Sequence, residues 1–233
     1  MENRAHIILP TAAHTHTVIF LHGRDSTASE FAPEFFESQA SDDRTLLEIF
    51  PGIRWIFPTG GIIRSARFGS DMSQWFDMRS TENPHERHEH DNHDKELQTA
   101  VNFVTDIVNK EAASIGSENV FLGGISQGCS TAMHALLRND KRLAGFIGLC
   151  SWFANCQNAT STPTTQASRT PIMLSHAQDD DIIDMKFGLE ARDRLIGMGM
   201  EVQWHAYEDG GHWINEPKGV DDIVAFMQLQ IRK

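Results

Sequence analysis

The chain has 233 residues, 40% of them hydrophobic, with 32 acidic against 20 basic side chains and a net charge of −12. That charge argues against nucleic acid and an anionic membrane surface as partners. No stretch reaches the ~18 apolar residues of a spanning helix, and the first residues carry no apolar leader, so neither signal peptide nor stable membrane insertion is expected.

In chain order, the apolar patterning predicts strands at 6–9 and 18–21, a helix over 28–39 and a strand at 53–57. A helix over 94–113, a strand at 120–122 and a helix over 126–138 follow. Strands at 146–149 and 172–175, a helix over 185–198, a strand at 202–207 and a helix over 220–231 complete the series. This alternation predicts an α/β fold, a mostly parallel central sheet with helices on both faces, forming one domain over 1–233.

Two stretches fall outside the pattern. Residues 158–168 are rich in Thr, Ser and Ala and read as an exposed loop. Residues 84–94 hold His85, His88, His90 and His93 among four acids. A transition-metal site and a solvated loop both fit that composition; the spacing encloses no ion, which favours the loop, and neither metal nor cofactor is expected. Cys129, Cys150 and Cys156 also lack metal spacing and read as reduced thiols of a cytoplasmic protein. Association into a homodimer is left open.

Chemistry enters at Gly124-Ile125-Ser126-Gln127-Gly128, a G-x-S-x-G pentapeptide between a predicted strand and a predicted helix. Alone the motif is weak; in a strand–turn–helix it pushes a serine Oγ out of the sheet, beside the first amides of the helix. Such a serine needs a histidine base and, between them in the chain, an acid to orient it. Of the later histidines, His134 lies inside the helix, and His176 and His205 lie in strand-like runs. His212 alone follows a strand in a glycine loop, Glu208-Asp209-Gly210-Gly211-His212, and is the expected base. Asp179, Asp180, Asp181 and Asp184 follow the 172–175 strand, and spacing does not choose among the first three. His22-Gly23-Arg24 ends the 18–21 strand with a sharp turn, so the backbone amides of Arg24 and Gln127 are the expected oxyanion donors.

With these residues in place the chain resembles the acyl-protein thioesterase, carboxylesterase and lysophospholipase family of α/β-hydrolases. The resemblance runs from Thr17 to about Phe226 through Val18–Gly23, Ser73-Gln74-Trp75-Phe76-Asp77, Gly123–Gly128, Leu143–Trp152 and Tyr207–His212. The family's acid stands in a G-x-x-D-x-x-V pattern, here filled from Ala177 to Ile183, and that register implies Asp180. The family's oxyanion loop reads His-Gly-x-Gly-Asp; the second glycine is missing here. Residues 59–68 replace a proline-rich substrate loop and suggest a looser wall. Ile63, Trp75, Phe76 and Trp152 are the candidate substrate-binding residues; Ile62 and Phe68 are weaker ones. Implied is a cytoplasmic serine hydrolase cleaving carboxylic esters or thioesters of a small molecule, a lysophospholipid or an acylated protein. A lysophospholipase and a non-catalytic hydrolase-fold binding protein are the alternatives.

Overall fold

The computed structural model describes residues 4–87, 92–156 and 162–232. Its strands are β1 (Ala5–Ile8), β2 (His16–Leu21), β3 (Ile53–Pro58), β4 (Gly61–Arg64), β5 (Asp71–Gln74), β6 (Val120–Ile125), β7 (Gly145–Leu149), β8 (Ile172–Ala177) and β9 (Val202–Tyr207). Its α-helices are α1 (Ala28–Phe35), α2 (Leu46–Ile49), α3 (His93–Ile115), α4 (Ser126–Arg138), α5 (Met185–Gly197) and α6 (Lys218–Ile231).

Seven strands form one sheet in the order β1-β3-β2-β6-β7-β8-β9. β1 runs antiparallel to β3, and the other six strands pair in parallel. A parallel sheet buried on both faces needs apolar side chains on both. β2 shows this: Ile19 and Leu21 join the core under α3, α4 and α5, while Val18 and Phe20 join the core under α1 and α6. Helix α4 is buried along its whole middle, from Gln127 to Leu137. The α/β architecture is the one the sequence predicts.

Local differences have local causes. Strand β6 continues to Ile125 because Gly123 lets β6 and β7 approach: a Cβ there would overlap the Ile147 carbonyl. Helix α1 stops at Phe35, where the chain tightens and the Phe36 and Glu37 amides reach back three residues, to the Pro33 and Glu34 carbonyls, both at 3.1 Å. Helix α2 was not expected, yet Thr45-Leu46-Leu47-Glu48 is a capping box: Glu48 accepts from the Thr45 amide at 2.8 Å. The stretch expected to be a loose wall is largely an antiparallel hairpin, with Gly61 opposite Gln74 and Arg64 opposite Asp71.

Candidate active site

Strand β6 passes into α4 through a sharp bend at Ser126, whose φ of 54° lies in the left-handed region. L-residues other than glycine rarely adopt it, so the surroundings must impose it. A Cβ on Gly124 would stand 2.8 Å from the Cys129 nitrogen, and one on Gly128 would overlap the His22 and Leu21 carbonyls. The two glycines thus let the end of β2 pack against the bend, which brings the turn after β2 beside Ser126: Gly23 has space for no more than van der Waals contact with the Ser126 Cβ.

That turn is braced from several sides. The His22 ring is buried; its Nδ1 donates to the Gly23 carbonyl at 2.6 Å and its Nε2 accepts from the Gly60 amide at 3.0 Å. Burial, partly opposed by the Gly23 carbonyl, pulls its pKa down to about 4. Asp25 occupies the place of the missing family glycine and takes a φ of 63°, which Asp tolerates better than most side chains. Gln127 is anchored by its side chain, which accepts from the Trp75 amide at 2.8 Å and donates to the Phe76 carbonyl at 2.8 Å. Ser151, just past β7, donates its hydroxyl to the Ser126 carbonyl at 2.6 Å.

The acid and the histidine meet from neighbouring strand ends. Asp180, in the loop after β8, accepts the Ile182 and Ile183 amides on Oδ1 at 3.0 and 2.9 Å. Its Oδ2 lies 2.8 Å from His212 Nδ1, in the loop after β9. Burial alone would raise the Asp180 pKa, but the His176 and His212 rings and the Ile183 amide more than offset it. The carboxyl is held well below the usual range. Asp179 braces the same loop by accepting the Gly211 amide at 2.8 Å, and the Cys150 thiol donates to the Trp213 carbonyl at 3.3 Å. Asp181 is exposed.

Ser126 and His212 line one cleft of about 360 Å³. Arg24, Phe31, Phe68, Met78, Ile183 and Trp213 are among its walls. Arg24 donates to the Met78 carbonyl at 3.1 Å and stacks over the Phe68 ring at 5.2 Å, with Arg67 over the same ring at 5.5 Å. Of the four candidate substrate residues none lines this cleft. Phe76 and Trp152 are wholly buried in the core between the sheet and α3 and α4. Ile63 and Trp75 border a separate groove against α3, with Arg4 and Phe103. Trp75 and Phe76 reach the site from behind: the Trp75 amide and the Phe76 carbonyl hold the Gln127 side chain, and the Trp75 indole N–H donates to the His22 carbonyl at 2.8 Å. Phe68, the weaker candidate, does line the cleft, as does Arg24, which the sequence analysis considered only for its amide.

Among the other histidines, His134 is buried, donates to the Ala154 carbonyl at 2.9 Å, and has its pKa lowered to about 4, chiefly by burial. His205 lies 3.0 Å from Asp222. In the histidine-rich stretch, residues 88–91, with His88 and His90, lie outside the described residues. His93 is engaged on both ring nitrogens, with the Asp77 carbonyl at 3.1 Å and the Arg87 guanidinium at 2.8 Å. No helix among the described residues is long and apolar enough to cross a membrane.

A parallel sheet whose β6–α4 bend carries a serine, with the acid and histidine after later strands, defines the α/β-hydrolase class. More narrowly, residues 2–231 match the phospholipase/carboxylesterase family, and the chain belongs to it. As a member it is a hydrolase of ester or thioester bonds. It is 27% identical to acyl-protein thioesterase 1 of Gibberella zeae, over 97% of this chain and 96% of that protein. It is 30% identical to acyl-protein thioesterase 1 of Cryptococcus neoformans, over 81% of this chain and 76% of that protein. The crystal structure of Arabidopsis thaliana SOBER1 shares the fold, with a TM-score of 0.77, 24% identity and coverage of 93% of this chain and 99% of that one.

Proposed function

We propose that the chain is a serine esterase or thioesterase that works through an acyl-enzyme, with Ser126 as nucleophile, His212 as base and Asp180 as orienting acid. The observation that carries this is the 2.8 Å contact of Asp180 Oδ2 with His212 Nδ1, made by residues whose loops border the cleft that holds Ser126. The contact fixes the proton on Nδ1 and leaves Nε2 free to take the Ser126 proton.

In this reading Oγ attacks the acyl carbon as its proton passes to His212, and Asp180 stabilises the imidazolium. The carbonyl oxygen becomes an oxyanion held by the Arg24 and Gln127 amides, near the start of α4, where helix geometry leaves N–H groups without intrahelical acceptors. Collapse of the tetrahedral adduct breaks the ester or thioester bond, and His212 returns the proton to the departing alcohol or thiol. Water then repeats the sequence on the acyl-Ser126 ester. The intact serine, acid and histidine speak against a non-catalytic binding protein, and the cleft walls suit an apolar acyl group. The test is labelling with a fluorophosphonate: one adduct on Ser126 is expected, and Ser126→Ala should lose at least ~10⁴-fold in kcat. An adduct on another serine, or near-native turnover of the alanine variant, overturns the reading.

A further inference from the structure

His176, the fifth residue of β8, has a fully buried side chain. Its Nε2 lies 2.8 Å from the Ile183 carbonyl oxygen and 3.0 Å from Asp180 Oδ2. Both oxygens can only accept, so Nε2 carries a proton and lies between them as a shared donor. The opposite nitrogen, Nδ1, has no partner, and Gly188 of α5 packs so tightly against it that a Cβ there would overlap it. Asp180 Oδ2 therefore faces two imidazoles, His212 on the cleft side and His176 on the core side, while its Oδ1 takes two amides.

We infer that His176 is a positioning residue, which clamps Asp180 from behind and tempers the negative charge that Asp180 presents to His212. It rests on the triad reading above. Two amides fix Oδ1 but leave the direction of Oδ2 to its own partners. A donor behind Oδ2 holds that oxygen toward His212 and draws off part of its charge, so the His212 imidazolium is supported less strongly than by a carboxylate without that donor.

The surroundings contribute other groups. Asp184, at the start of α5, is paired with Lys186 at 3.0 Å. Asp179 is bound to the Gly211 amide and the Cys150 thiol to the Trp213 carbonyl. From β9, Trp204 packs against the His176 ring at 6.4 Å, with the Arg192 guanidinium over the indole. Among the described residues none of these groups hydrogen-bonds to Oδ2, which leaves His176 as the second imidazole on it.

The test compares His176→Leu, which removes the donor, with His176→Gln, whose amide can return an N–H to the same position. The leucine variant should lower kcat by roughly 10- to 100-fold with KM changed by less than about threefold, as expected for a displaced catalytic group. It should also move the acid limb of the kcat/KM profile upward by about half a pH unit, because His212 then faces a more concentrated charge. The glutamine variant should recover both. An unmoved acid limb in the leucine variant, or glutamine no better than leucine, makes His176 a packing residue only. Long-range ¹H–¹⁵N histidine spectra of the unmodified protein cover the case in which the leucine variant does not fold. They should show His176 with its proton on Nε2, and a proton on Nδ1 instead overturns the inference. Fluorophosphonate labelling on the same samples separates the two proposals: absence of a Ser126 adduct refutes the triad, whereas a normal adduct with an unmoved limb refutes only the role of His176.

Discussion

Three adjacent aspartates follow β8, and the structure gives each a different environment. Asp180 is buried against His212, Asp179 holds a backbone amide, and Asp181 is exposed. Asp180→Asn should keep the fold and lower kcat by roughly 10³- to 10⁴-fold, because the amide disturbs the tautomer of His212. Asp181→Asn should stay within about twofold, since a solvated charge is screened. Steady-state kinetics on the two variants check this, and a sensitive Asp181 overturns the assignment. His212 and the aspartate cluster were legible in the sequence because each sits just after a strand, but spacing left Asp179, Asp180 and Asp181 open, and only the register of the family resemblance pointed to Asp180. His176 was not, since a histidine inside an apolar run looks like any satisfied core residue until the loop folds Asp180 back onto it. The i, i+4 spacing of His176 and Asp180 was the one available signal. Trp75 and Phe76 were singled out for their ring faces, whereas what they give the site is polar: a backbone amide, a backbone carbonyl and the Trp75 indole N–H.

At the scale of elements, the contact between the end of β2 and the start of α4 sets the site. It depends on Gly128, where any Cβ would meet the His22 and Leu21 carbonyls, backbone atoms that cannot turn aside. Gly128→Ala should therefore cost about 3 kcal/mol and lower kcat, as the helix is pushed off the oxyanion turn. Gly197→Ala, at the end of α5 with open space around it, should be neutral or slightly stabilising. Denaturant midpoints for the pair decide it: equal effects would mean the close packing at Gly128 is slack. The sheet and its long helices were legible because their apolar periods are strong. The β4–β5 hairpin was not, because its strands span only four residues each and leave Ile62 72% exposed, so no buried face imprints an alternation.

Across the whole molecule, two buried histidines link stability to pH. The pKa values of His22 and His134 are both lowered by burial from 6.5 to about 4. Between those values the unfolded chain binds more protons than the folded one, so stability is full above pH 6.5 and is lost as pH falls toward 4. The loss is up to about 3 kcal/mol for each ring. Urea midpoints measured from pH 7 to pH 4 should fall steadily. His134→Gln, which can keep the donor to Ala154, should make the slope shallower, and His22 together with His16 and His93, whose pKa values burial also lowers, should sustain the rest. A flat profile would mean that neither ring resists protonation.

The pairing of β2 with β6 also governs how the protein acquires activity. Thr17 lies opposite Val120 and Leu21 opposite Gly124, so the turn with the expected oxyanion amide and the bend with the proposed nucleophile are strand neighbours separated by about a hundred residues of chain. Closing so long a loop precedes the contacts that reward it, and parallel pairings of this span form slowly. Helices and collapsed intermediates can form earlier without creating a catalytic centre. During refolding from denaturant, far-ultraviolet ellipticity should therefore recover ahead of esterase activity. The return of fluorophosphonate reactivity should mark the last cooperative step. If activity returned together with the earliest ellipticity, the β2–β6 pairing would have to form at the outset, and turnover would lose its use as a clock for the completed sheet.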